Sequence, residues 1–255
     1  MKYSVCIDAV CGQYPLMKAM QLVADAGYTA VEFWSWWDKD IDALQRIQEK
    51  LQLDVAAFCK RFINPGDASL RQAYILGLQE SLAVAKRLHC PTLIVQAGWY
   101  QDSYTRQITE KEHRKNLTET LKVAAEEAEK AGICLALEPL NVRVDHPGYH
   151  LSRSEDAFDL LEKVGSPYVK LLFDIYHQQI TEGDVTRTIR EHIQQIAHFH
   201  AAGNPGRAEI TAGELNYGWI FEEIRKLGYI GYMGLEYMPQ KDIRKGLLET
   251  RSILK

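Results

Sequence analysis

The chain has 255 residues, 46% of them hydrophobic and 25% charged, and its 30 Lys and Arg against 34 Asp and Glu give a formal net charge of −4. That composition supplies one sizeable core and excludes disorder as the dominant state. The absence of a basic cluster argues against a nucleic-acid partner, and no apolar run is long enough to predict a membrane helix.

The N-terminal MKYSVCIDAV shows no signal-peptide core with a cleavage site. The cysteines Cys6, Cys11, Cys59, Cys90 and Cys134 are odd in number and form no C-x-x-C. They predict neither a disulfide framework nor a thiolate zinc site, but buried, reduced thiols in a cytoplasmic protein.

In chain order, an apolar run at 3–7 comes first, and Pro15 suits the first turn of a helix. PLMKAMQLVADAG then leads to TAVEF, LTETLKVAAEEAEKAG to ICLALE, and WIFEEIRKLG to YIGYMGLEY. Each is an amphipathic helix, a turn and a short apolar strand ending in a polar residue. Gly27, Gly132 and Gly228 fall where a helix needs a left-handed residue to stop. Thr109 with Glu112, and Ser152 with Glu155, read as capping boxes. Leu117, Leu121, Ala124 and Ala128 mark one apolar helix face. Strands are predicted at 3–7, 29–33, 53–58, 92–96, 133–138, 168–173, 196–200 and 232–236. As continuous apolar runs they suit a parallel sheet buried on both faces. Eight such alternations predict an α/β chain folded as a single (β/α)8 TIM barrel over 1–255. No G-x-G-x-x-G or P-loop is present to favour an open sheet.

In such a barrel the functional groups sit at the C-terminal strand ends. LALEPLN, LLFDIYH, AHFHAAG and GLEYMP deliver Glu138, Asp174, His200 and Glu236 to one rim. Three carboxylates and an imidazole suit one Mn²⁺, Mg²⁺ or Co²⁺ ion better than a structural zinc site. His198 lies two residues before His200 on the same side of its strand, one layer deeper, where it can support the ligand. His177 lies just past a strand end, within reach of a substrate. Arg207, in NPGRAE, can hold a substrate oxygen or carboxylate. Phe33, Trp34, Trp36, Trp37, Trp99 and Tyr100 crowd the earlier rim as an apolar wall or a subunit contact. Lys60 and Arg61 read as anion contacts or surface charges. Asp145, His146 and His150 form a polar loop without an assigned role, while His89, His113 and His192 read as solvated.

These phrases, with GYTAVEF, GDVTRTIREHI, HFHAAGNPGR and GELNY, resemble the hydroxypyruvate isomerase family. That family is a branch of the xylose isomerase-like TIM barrels, which also include the D-tagatose 3-epimerase-type ketose epimerases. The resemblance covers the whole barrel and is strongest from Glu138 onward. It implies the metal ligands Glu138, Asp174, His200 and Glu236, catalytic carboxylates at Glu138 and Glu236, and substrate contacts from His177 and Arg207. It implies proton transfer beside a carbonyl through an enediolate, most simply hydroxypyruvate to tartronate semialdehyde, in a dimer or tetramer. One departure bears on the substrate. Hydroxypyruvate isomerases often read H-x-Q at the seventh strand, whereas this chain reads H-F-H, as the epimerases do. A ketose 3-epimerase or short-chain aldose–ketose isomerase is therefore an alternative. A non-catalytic sugar or metabolite binder is another, and an AP endonuclease on the same barrel a more distant one.

Overall fold

The computed structural model describes residues 1–99 and 108–254. Tyr100 lies outside the described residues. Within them, parallel strands β1 (Lys2–Cys6), β2 (Ala30–Phe33), β3 (Asp54–Cys59), β4 (Thr92–Gln96), β5 (Cys134–Glu138), β6 (Val169–Asp174), β7 (Ile196–Ala201) and β8 (Tyr232–Leu235) close into a barrel in chain order. The seam joins β1 to β8, with Val5 opposite Leu235. Every strand expected from the sequence is present.

The α-helices are α1 (Ile7–Val10), α2 (Leu16–Asp25), α3 (Ile41–Leu51), α4 (Arg71–Arg87), α5 (Glu110–Ala131), α6 (Ser154–Val164), α7 (Ile175–Thr181), α8 (Val185–His192), α9 (Tyr217–Lys226) and α10 (Ile243–Ser252). Two of them, α1 and α7, grow directly from strand ends. The long α5 starts where Thr109 accepts a hydrogen bond from the Glu112 amide at 3.2 Å and stops at Gly132, whose φ is 70°. Leu117, Leu121, Ala124 and Ala128 form its buried face.

The second expected capping box is corrected. Helix α6 begins at Ser154, and Arg153 before it offers no side-chain cap. Glu182, at the end of α7, supplies the acceptor instead, taking the Ser154 amide at 3.2 Å and its hydroxyl. His113 is corrected too. It is buried and its ring stacks on His150 with centroids 3.3 Å apart. Burial, with His150 beside it, pushes it down to about 3.

The large core lies between barrel and helices. A second apolar cluster, Ala57, Cys59, Ile94, Ala136 and Leu172, fills one side of the barrel interior. Ser4, Glu32, His198 and His200, on strands β1, β2 and β7, fill the other with buried polar groups. The polar side is the one that carries the site.

Candidate metal and active site

Glu138 ends β5 and Asp174 ends β6; His200 lies one residue from the end of β7, and Glu236 follows β8 directly. All are buried, and each offers a ligand atom within 4.8 Å of the others'. His200 Nδ1 stands 3.4 Å from Glu138 Oε1 and 3.5 Å from Glu236 Oε2. It is buried without a hydrogen-bond partner. A nitrogen without a partner facing two carboxylates is what a divalent cation among them would satisfy, and the oxygen-rich donor set fits such an ion. The four residues foreseen as ligands are thus brought together.

Three of these residues are braced by further hydrogen bonds. Asp174 Oδ1 accepts the amides of Tyr176 at 2.8 Å and His177 at 3.2 Å, capping α7. Glu236 accepts Trp34 Nε1 at 2.6 Å and Arg207 Nη2 at 2.5 Å, one on each oxygen. The Glu138 carbonyl accepts the Tyr149 hydroxyl at 2.8 Å, and that hydroxyl accepts the Ala97 amide at 2.6 Å, tying the ends of β4 and β5 together.

Electrostatics differ across the site. Burial raises Glu138 to about 7 against the pull of His200. Burial acts the same way on Glu236, but His200 and Arg207 outweigh it and hold that carboxyl well below the usual range. Burial would lower His200, yet the surrounding carboxylates raise it well above the ordinary imidazole value.

Arg207 lies in the loop after β7 with φ at 51°. Its carbonyl accepts the Met238 amide at 2.7 Å, and its guanidinium sits 5.5 Å from the Tyr176 ring centroid. Its Nε is buried without a hydrogen-bond partner, leaving a donor for an incoming oxygen. A cavity of about 250 Å³ opens here, with Glu138, His200, Glu236 and Arg207 on its polar side and Trp34, Trp99, Leu140 and Met238 among its apolar walls.

His177 is placed differently from Arg207. It is fully buried between Asn141 Nδ2, 2.6 Å from its Nδ1, and Asp174 Oδ2, 3.5 Å from its Nε2. The histidine that lines the cavity beside His200 is His146. Its ring lies 5.1 Å from that of His177. Asp145 accepts from Asn141 at 2.6 Å and from Tyr176 at 3.0 Å, bracing this loop.

Lys60 is not a surface charge. It is buried with its ammonium 3.6 Å from the Tyr74 ring centroid. Arg61 lies against Trp36 and pairs with Glu80 at 3.4 Å. Trp37 meets Phe62 edge-on, with ring centroids 5.1 Å apart.

Glu32, in the middle of TAVEF, was missed by sequence reasoning. It is 1% exposed, and its Oε2 lies 2.9 Å from His200 Nε2 and 3.1 Å from His198 Nε2. Its Oε1 accepts the Ser4 hydroxyl. Burial would raise this carboxyl, but the two imidazoles outweigh it and hold it at about 2. The available signal was a charged residue inside a fully apolar strand, which must find donors.

A parallel barrel with this carboxylate–histidine set on its rim defines the class of chain, a TIM barrel with a candidate metal site at the C-terminal ends of its strands. The chain belongs to the xylose isomerase-like TIM barrel family, whose model matches residues 20–253. It is 29% identical to hydroxypyruvate isomerase of Escherichia coli over 97% of each chain. It is 38% identical to a Xenopus laevis protein provisionally named hydroxypyruvate isomerase, over 67% of this chain and 62% of that one. It is 42% identical to 2-oxo-tetronate isomerase of Cupriavidus necator over 52% of this chain and 51% of that one. Among solved structures, a Brucella melitensis protein described as an AP endonuclease of family 2 superposes with a TM-score of 0.90 at 28% identity, covering 98% of each chain. D-psicose 3-epimerase from Clostridium cellulolyticum H10 shares the fold, with a TM-score of 0.82 at 19% identity over 100% of each chain.

Proposed function

We propose that this chain is a metal-dependent isomerase that moves a proton beside the carbonyl of a short α-hydroxy-carbonyl acid, with hydroxypyruvate to tartronate semialdehyde as the leading reaction. The observation that carries the reading is the placement of Glu138 and Glu236. Both are buried, both reach within 3.5 Å of His200 Nδ1, and both line one small cavity that Arg207 also lines.

Glu138, Asp174, His200 and Glu236 would hold the divalent cation, which when bound supplies Lewis-acid stabilisation of developing negative charge on the substrate oxygens. Glu138, at the end of β5, and Glu236, just after β8, lie at the ends of strands separated by β6 and β7. One takes a proton from carbon and the other returns a proton to the neighbouring carbon. Trp34 and Arg207 fix the Glu236 carboxylate so that little rotamer freedom is lost when it acts. Arg207 Nε is positioned to receive a substrate carboxylate, and the apolar walls keep bulk water from the reacting carbon. At about 250 Å³ the cavity lies below the usual range for larger ligands, ~300–1,000 Å³, which favours a substrate of few carbons.

A second reading, ketose 3-epimerisation or isomerisation of another short substrate such as a 2-oxo-tetronate, rests on His200 standing where many hydroxypyruvate isomerases carry glutamine. An endonuclease reading lacks support in the first five strands, none of which contains a histidine to extend the metal set.

The experiment strips the protein with a chelator, restores Mn²⁺ or Mg²⁺, and follows hydroxypyruvate, tetruloses, 2-oxo-tetronates and longer ketoses in D₂O by NMR. Metal-dependent aldehyde formation from hydroxypyruvate, with deuterium at the exchanging carbon, is expected. Faster turnover of a ketose at C3 replaces the leading reaction by the second. Absence of turnover and exchange across the panel in folded, metal-loaded protein overturns the isomerase reading.

A further inference from the structure

We infer that Glu32 is a positioning residue that fixes the His200 ring so that its Nδ1, and not its Nε2, is presented to the cation. The inference rests on the proposed metal site and adds a buried residue of β2 that bonds His200.

The geometry has three independent parts. First, His200 Nε2 is committed to Glu32 Oε2 at 2.9 Å, while Nδ1 is left without a hydrogen-bond partner against Glu138 and Glu236. A carboxylate accepting the far N–H of a ligand imidazole sets its tautomer and its angle and makes the free nitrogen a better donor to metal. Second, Glu32 is itself held from three sides, by His200, by His198 Nε2 at 3.1 Å and by the Ser4 hydroxyl. His198, one layer deeper, thereby serves as a second anchor on the oxygen that orients His200.

Third, β8 leaves the space this arrangement needs. A Cβ at Gly234 would stand 2.3 Å from Glu32 Oε1 and 2.7 Å from His200 Cδ2. Both neighbours are buried, so neither can swing away. The absence of a side chain at Gly234 lets the Glu32–His200 pair form.

The test compares wild type with Glu32→Gln, which keeps the volume and removes the charge. Metal-stripped protein is titrated with Mn²⁺ by EPR and with Co²⁺ by visible absorption. The expected result is about 10–100-fold weaker Mn²⁺ binding and a changed Co²⁺ spectrum in protein with native circular dichroism. A purely structural role for Glu32 would leave both readouts unchanged in the folded variant, and that result overturns the inference. If Glu32→Gln does not fold, Ser4→Ala decides. By freeing Oε1 it should weaken Mn²⁺ binding, and unchanged affinity overturns the inference. Failure of the wild type to bind either ion overturns the rim metal site itself, which is a different outcome from wild-type binding that Glu32→Gln leaves intact.

Discussion

Glu236 has both oxygens engaged by its own chain, Oε1 by Trp34 and Oε2 by Arg207. An amide in its place keeps the shape but cannot accept a proton from carbon. Glu236→Gln should therefore lower kcat by about 10²–10⁴-fold, and should also lower Tm, because its amide NH2 must face Trp34 Nε1 or Arg207 Nη2, both donors; NMR turnover and thermal melting read the two effects, and wild-type kcat would remove Glu236 from the proton path. Lys60 makes a prediction about pH. Burial pushes it down to about 7, whereas an unfolded lysine titrates near ~10.4. Between these values the unfolded chain binds the extra proton, so Lys60 makes stability rise as pH rises through that window. Below about pH 7 the penalty for the buried ammonium is present in full. Lys60→Met should raise Tm at pH 6 and gain progressively less toward pH 10; an equal gain at both would show that Lys60 titrates normally. These residues also mark what could be read from sequence. The convergence of the four rim residues was legible because each follows an apolar strand run. Glu32 was not, because its partners lie 166 and 168 residues away and only barrel closure brings them together.

Helix starts show how far a local pattern reaches. Thr109 and Glu112 formed a capping box in the sequence, and Thr109 accepts the Glu112 amide in the structure. Ser152 and Glu155 had the same spacing, yet α6 starts later and takes its acceptor from Glu182, 28 residues on. The spacing rule registers a cap supplied from within the helix and is blind to one supplied across a helix–helix contact. The two sites should separate cleanly by mutation. Thr109→Ala should cost about 1 kcal/mol, a fall in Tm of about 2–4 °C in a domain of this size. Ser152→Ala should leave Tm within about 1 °C, since surface changes away from such features cost little. Thermal melts of both variants check this, and equal losses would return Ser152 to the cap. The barrel order itself was legible because eight apolar runs alternate with helical faces. The short helices α1 and α7 were not, since each continues from a strand without a break in pattern.

At the scale of the whole molecule, the site joins four consecutive strands, β5 to β8, around one point. Glu138, Asp174 and Glu236 bring three carboxylates into a buried space beside His200, with the Arg207 guanidinium paired to Glu236. Folding gathers these like charges, and unfolding disperses them. A divalent cation bound there links half of the barrel and has no comparable site in the unfolded chain, so binding must favour the folded state by mass action. At a free ion concentration about 100 times Kd the gain is about 2.7 kcal/mol, or roughly 5–10 °C in Tm for a chain of this length. Differential scanning fluorimetry of chelator-treated protein, with Mn²⁺ added back across a concentration series, should show Tm rising with the logarithm of Mn²⁺ above Kd. Glu138→Gln and Asp174→Asn should each move the onset of that rise to higher Mn²⁺, while Thr109→Ala shifts the whole curve down without moving its onset. The contrast follows from where each residue acts, the first two on the folded state's affinity for the ion and the third on the folded state alone. A Tm that ignores Mn²⁺ in the wild type would mean that the four rim residues bind no cation in the native barrel.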